Sequence, residues 1–481
     1  MWKASPDMAT FESDRPRKRG PVIILLLLII IGAFLGGAYY LAPRFERDAP
    51  QITLAPDSDV LGSAPMAIAI VDQGAGLKSV TATLSVAGSD HTLAAEQYAE
   101  PVREKELVVD PSKLPGLKEG RALLRVSVRD GSLWKFFGGN ETVLQKELTI
   151  DRTPPTVELV ADDRYINLGG VGAIVYKASA DTVSSGVRIA DYFFPGYSGQ
   201  IKDHPDRFFA LFAHPYNVAV GAKAVVIATD KAGNTRELPF VYELKNVKYR
   251  KSAIALTDIF IQSKVAPLLK EMGGREAAPK EIFVAVNKRL RKENEDKIAA
   301  IMRKSPSSIL WKGVFTQLSN SKVEANFAEE RTYTYNQEPI DTAFHLGYDL
   351  SVTKRYPVEA ANSGNVVFVG ELGIYGNTVI LDHGLGLYTL YSHLSSIDVK
   401  EGDSVKQRQI IGRTGETGLA GGDHLHYGVY LHGIAVLPVE WWDQKWINDN
   451  IQPKLDGHTG EAIAELQQPK PRRKASHKRR R

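Results

Sequence analysis

The alternation of polar and apolar positions along this chain is interrupted early, because residues 21–41 are almost wholly apolar and 22–31 form an unbroken hydrophobic run. A helix of that length crosses a hydrocarbon core of roughly 30 Å, so the pattern predicts a membrane anchor at 21–42. The basic stretch 1–20, with Arg15, Arg17, Lys18 and Arg19, precedes it, whereas Arg44, Glu46, Arg47 and Asp48 beyond it carry mixed signs. Positive charge stays inside, which puts the N-terminus in the cytoplasm and the rest of the chain in the extracytoplasmic space. A cleaved signal peptide is the competing reading. The run is longer than a usual signal core and no clean A-x-A follows it, which favours an uncleaved anchor.

From residue 49 to 249 short alternating runs are broken by Gly, Pro, Asp and Asn, the pattern of antiparallel strands. Two passages follow one plan. In 49–150 the turn residues 72–79 precede the alternating 80–84, and 124–130 closes the unit; in 151–249 the turn at 184–188 and the strand-like 224–234 play those parts. A repeat of about a hundred residues suits two tandem immunoglobulin-like sandwiches, joined by a stiff junction at Thr153-Pro154-Pro155. Such modules are expected to act as spacers or protein-binding surfaces. The period then changes: Val265, Leu268, Leu269 and Met272, and after Pro279 Ile282, Val286 and Leu290, fall at helical spacing within a linker at 253–305. The β pattern returns over 306–447, and 448–481, ending in a run of Lys and Arg, reads as a disordered basic tail. The fold class is thus mainly β: one transmembrane helix, two sandwich modules, a helical linker and a C-terminal antiparallel β-domain.

Composition narrows the chemistry. The net charge of +4 over 481 residues sits mostly at the two ends, so a nucleic-acid partner is not expected. With no cysteine, thiolate metal sites and cysteine nucleophiles are excluded, and a metal would need His and carboxylate ligands. His91, His204 and His214 stand alone in the β-modules; the other candidates cluster after Phe344.

In the stretch 343–350, Phe344, Leu346, Tyr348 and Leu350 alternate with His345, Gly347 and Asp349. An extended strand would bury the first set and send His345 and Asp349 to one side. In 423–430 the same alternation puts His424 and His426 on one face, so either both bind metal or one binds it while the other works beside it. His393 ends another strand-like run. Catalytic zinc sites use three protein ligands and leave a position for water, a count met by His345, Asp349 and one of the close pair. The Gly-rich run 412–422 lacks the G-K-[ST] ending of a phosphate loop and reads as a mobile loop beside the cleft.

Together these fragments, H-x-x-x-D at 345–349, a His after an aromatic-small pair at 391–393 and H-x-H at 424–426, resemble the lysostaphin or LytM-type zinc endopeptidases over about 327–446. The intervening stretches 357–367, 375–386, 402–405 and 411–415 follow the family text as well. The resemblance implies one Zn²⁺ held by His345, Asp349 and His426, with His393 and His424 as the catalytic pair, in a groove between antiparallel sheets. It implies hydrolysis of peptide cross-links in bacterial peptidoglycan at the outer face of the cytoplasmic membrane. Asp423 and Gly428 depart from the family's usual Pro and acidic residue; neither is a ligand. His383 follows the family text as a structural residue, and His432 lies too far along its strand to join the metal. The alternative is a LytM-type regulator that activates other hydrolases, or an enzyme kept inactive by the helical segment over its groove.

Overall fold

The computed structural model describes residues 20–245, 247–275, 277–460 and 462–463. The basic N-terminus, 1–19, and the final basic run, 464–481, lie outside the described residues. Gly20–Leu41 forms one helix, about 33 Å long at 1.5 Å per residue. Its segment Ile23–Leu41 has a mean hydropathy of 2.5 with none of its surface buried against protein. An all-round apolar helix with no protein cover is consistent with a single-pass membrane anchor.

The chain divides into two compact units, one of residues 1–153 with 232–234 and one of 154–231 with 235–481. In the first, a three-stranded sheet (Gln51–Ala55, Met66–Val71, Glu104–Val109) and a five-stranded sheet containing Leu77–Val86 and Gly120–Asp130 share one hydrophobic core. The alternation read from the sequence is kept. Met66, Ile68 and Ile70 are buried between partly exposed neighbours, and Val80 and Leu84 pair across the ladder with Val128 and Leu124.

The second unit opens with two four-stranded sheets, one containing Val171–Ala178 and Arg207–Ala213, the other Thr182–Ile189 and Ala224–Asp230. Their core is continuous with that of the C-terminal domain: Ile174, Phe209 and Phe212 belong to one cluster with Leu350, Tyr391, Tyr427 and Trp441. Glu440 is buried where they meet and accepts hydrogen bonds from Val171 N and Asn167 Nδ2, each at 2.8 Å. Desolvation pushes its carboxyl up to about 8.

Two expectations are corrected here. The segment 253–305 starts as a strand, not a helix: Lys251–Leu256 adds in parallel to Glu329–Tyr335, which pairs with Glu338–His345. Helices follow at 258–271 and 279–301, and they are not a free linker. Phe283 packs on Tyr333 at 4.7 Å between ring centres, and Asn294 Oδ1 accepts from Ile374 N at 2.9 Å. The disorder expected from residue 448 does not hold at its start, where helical turns continue through Ile447–Ile451 and Gln452–Leu455; the basic run itself lies outside the described residues. Ile447 and Ile451 enter the core, and the ammonium of Lys454, wholly buried, pairs with Asp163. A four-residue spacing of apolar positions explains the helix; a buried ion pair locks its end.

The C-terminal domain is built on an eight-stranded sheet in which Lys322–Ala325, Tyr348–Ser351, Leu425–Leu431, Leu387–Ser392, Asn377–Asp382 and Gly364–Glu371 lie side by side. The ladders that join these strands are antiparallel.

Candidate metal centre

His345 and Asp349 do not sit on one continuous strand. His345 ends Glu338–His345 in the three-stranded sheet and Asp349 lies in Tyr348–Ser351 of the eight-stranded sheet, with the bend at Leu346-Gly347 between them. The burial expected from strict alternation fails at Phe344, which is 42% exposed, while His345 is buried. Gly347 is required at the bend, since a Cβ there would come within 2.8 Å of the His426 ring and 2.6 Å of Tyr427 O. The bend carries His345 over Asp349 and beside His426, which faces Asp349 directly across the ladder.

Three donor atoms meet at that point. His345 Nε2 is 2.9 Å from Asp349 Oδ1 and 2.9 Å from His426 Nδ1, and His426 Nδ1 is 3.0 Å from Asp349 Oδ1. Atoms bound tetrahedrally at about 2.0–2.2 Å from one ion stand only a few tenths of an ångström further apart. His345 Nδ1 is 2.9 Å from Asn326 O; a carbonyl only accepts, so Nδ1 carries the proton and Nε2 offers its lone pair inward. Burial alone would push the Asp349 carboxyl up, but His345, His424 and His426 around it hold it well below the usual carboxylate range. The donor set, two imidazoles and one carboxylate without sulfur, fits zinc.

The other two histidines face the same point. His393 follows its strand with φ of 63°, a left-handed conformation that non-glycine residues rarely adopt. Its Nδ1 lies 2.8 Å from Thr417 O, and His424 Nδ1 lies 2.8 Å from Gly422 O. Both carbonyls fix the proton on Nδ1 and leave Nε2 as the free base. The two rings are 4.8 Å apart, and His424 Nε2 stands 3.5 Å from Asp349 Oδ1. Burial pushes His393 well below its ordinary pKa, whereas Asp349 outweighs burial and raises His424, so the two imidazoles differ in basicity. The glycine-rich run therefore does more than border the cleft, because its backbone holds both catalytic candidates.

Arg331 escaped the sequence reading. Its Nη2 pairs with Asp349 Oδ2 at 2.8 Å, leaving Oδ1 to the histidines. No motif surrounds it, and only the pairing of strands Glu329–Tyr335 and Glu338–His345 brings it to the site. His383 is structural as read: it is fully buried, bonded to Ser363 O and Thr389 Oγ1, and pushed down to about 4 by burial. His432 stacks on Tyr197 away from the centre.

The five residues line a cleft of about 450 Å³ whose other walls include Leu256, Phe260, Phe283, Tyr375 and Leu419. Residues 343–438 match the sequence pattern of Peptidase family M23. That stretch is similar to an M23 domain. Over 109 residues the chain is 38% identical to the DD-carboxypeptidase/endopeptidase Mpg of Neisseria meningitidis serogroup B, a stretch covering 22% of this chain and 25% of that one. It is 31% identical over 144 residues to the peptidoglycan DD-endopeptidase ShyA of Vibrio cholerae, covering 30% of each chain. The chain thus spans between a quarter and a third of these two relatives. Among solved structures, the catalytic domain of lysostaphin from Staphylococcus simulans aligns at 31% identity and a TM-score of 0.22, covering 26% of this chain and 92% of that one. The M23 match contains all five candidate residues, at positions 345, 349, 393, 424 and 426.

Proposed function

We propose that this chain is a zinc-dependent endopeptidase that hydrolyses peptide cross-links of peptidoglycan, held at the extracytoplasmic face of the membrane by its N-terminal helix. The observation that carries the reading is the convergence of His345 Nε2, Asp349 Oδ1 and His426 Nδ1 on one point faced by two further imidazoles. The similarity to ShyA, a peptidoglycan DD-endopeptidase by name, supports a wall peptide as the substrate. Zinc held by the three ligands supplies a Lewis acid for the scissile carbonyl and makes water acidic enough to attack near neutral pH. His393 and His424, each with a lone pair at Nε2, orient the attacking water and take up its proton; the imidazolium so formed returns that proton to the leaving amine. Arg331 holds Asp349 in the rotamer that presents Oδ1.

Chelation tests the reading. The purified chain is expected to carry one zinc, to lose release of soluble muropeptides from wall material on treatment with a strong chelator, and to regain it on zinc addition. Undiminished turnover by metal-free protein would sink the mechanism. Arg331→Met is expected to cost about 10- to 100-fold in zinc affinity or turnover, the usual penalty for losing a partner of a metal ligand. Competition against a chromophoric chelator measures it.

The regulator reading is the weaker one, since all five residues are present and converge. An occluded enzyme has a specific observation behind it: Leu256 and Phe260 wall the same cleft as the histidines, and in the helical segment that follows Lys264 Nζ donates to Glu416 O at 2.7 Å, tying that segment to the glycine-rich run. The two-sheet β-modules, read as immunoglobulin-like, serve in this proposal as spacers and docking surfaces for wall or division proteins. Protease added to intact spheroplasts is expected to digest the region beyond the anchor; digestion only after lysis would reverse the orientation.

A further inference from the structure

Directly after the membrane helix the chain makes a short 3₁₀ turn, Ala42–Phe45, and Glu46 then lays its side chain into the first β-unit. There its carboxylate meets Asp72, after strand Met66–Val71, and Asp130, at the end of strand Gly120–Asp130; one oxygen from each residue lies within 4.8 Å of the others. Asp130 is fully buried and Asp72 is 5% exposed. Among the described residues no lysine or arginine forms an ion pair with any of the three. Three carboxylates brought together out of water repel one another unless something positive lies between them.

The local backbone is shaped around the cluster. Asp130 Oδ1 accepts from Ser132 N and Asn140 N, and its Oδ2 from Asn140 Nδ2. Glu46 Oε1 accepts from Ala75 N, and its main-chain oxygen accepts from Ser132 Oγ and Asn140 Nδ2. Gly74 leaves the space that the Glu46 carboxylate fills, for a Cβ there would overlap Oε2. Asp72 is the exception. Its Oδ1 accepts from Gly74 N at 2.9 Å, but Oδ2 is buried with no hydrogen-bond donor. Asp72 thus carries a buried carboxylate oxygen without a partner among the described residues and contributes an oxygen within 4.8 Å of one from Glu46 and one from Asp130, a group that lacks a positive ligand.

We propose that Glu46, Asp72 and Asp130 bind a hard divalent cation, of the calcium class, which fastens the segment following the membrane helix to the first β-unit. The donors are all oxygen, with no imidazole or thiol, which selects calcium or magnesium over zinc; three anionic protein ligands in one cage favour calcium, since magnesium keeps most of its water. The site is separate from the M23 centre in both ligand chemistry and place in the chain.

The test uses the full-length chain in detergent, stripped of divalent ions, with calcium chloride as the only addition. Equilibrium dialysis is expected to show one saturable calcium per chain with a dissociation constant of about 0.1–1 mM, the range of extracellular modules. Trypsin supplies a second measurement, because Arg44 and Arg47 flank Glu46. If opening of this segment requires the ion to leave, 10 mM calcium should slow cleavage at those sites by about 10- to 100-fold. Glu46→Gln and Asp72→Asn, which keep hydrogen-bond acceptors at both places, should lose binding and protection together while muropeptide release stays at the level of the unmodified chain. No saturable calcium binding up to 10 mM, or binding equal in the unmodified chain and both variants, would overturn the proposal. Saturation by magnesium at equal or lower concentration would overturn the assignment to calcium.

Discussion

A His426→Ala protein is expected to be purified without zinc and without measurable turnover, whereas His424→Ala keeps its zinc and loses about 10²- to 10⁴-fold in turnover. The difference follows from which atoms meet. His426 Nδ1 stands 2.9 Å from His345 Nε2 and 3.0 Å from Asp349 Oδ1, so its loss leaves two protein donors for an ion that takes three. His424 instead points Nε2 into the cleft with its Nδ1 proton tied to Gly422 O. Removing it takes away a proton carrier and leaves the donor triangle intact. His393→Ala should behave as His424→Ala does, and Asp349→Ala as His426→Ala. Zinc stoichiometry and turnover measured together decide the matter; a His424 variant without metal beside a His426 variant that retains it would reverse the two roles.

Lys454→Met is expected to destabilise the second unit by about 3–5 kcal/mol, the cost of leaving a buried charge without its partner. Lys454 is wholly buried and Asp163 nearly so; besides each other, Lys454 Nζ donates to Asn450 O and Asp163 Oδ2 accepts from Ala173 N. Burial pushes the Asp163 carboxyl up while Lys454 draws it back. Without Lys454, Asp163 either stays charged in a poor environment or takes up a proton, and both outcomes weaken the fold at neutral pH. Chemical denaturation of the purified chain measures the loss, and Lys454→Met combined with Asp163→Asn should recover much of it. If the single variant unfolds at the same denaturant concentration as the unmodified chain, the pair does not help secure the C-terminal helices. Truncation after Asn450 should be worse than Lys454→Met, because Ile451 leaves the core as well.

What the sequence made legible was local. A period of two put His424 and His426 on one face, and the helical spacing in 258–301 identified the helices. What it hid was decided by partners distant in the chain. Strict alternation placed Phe344 inside, but the bend at Gly347 moves His345 into another sheet and leaves Phe344 beside Tyr216. The spacing in Lys251–Leu256 is too short to separate strand from helix, and only its parallel partner 330–335 settles it. Thr417 and Gly422 act through carbonyl oxygens, which no side-chain pattern announces. The helical turns at 447–455 were missed although Ile447, Ile451 and Leu455 recur every four residues, because the basic run that follows drew the whole stretch into a tail.

The continuous core running from Ile174 and Phe209 to Leu350 and Trp441 has a consequence for how this protein can be taken apart. A piece starting at residue 306 would bare to solvent the apolar face that the preceding sheets cover, and Glu440 would lose the amides that receive it. The piece that keeps this core whole begins instead near Pro154, where the division between the two units falls. In a chimera at the bench, the M23-like domain and the β-module before it are expected to move as one part.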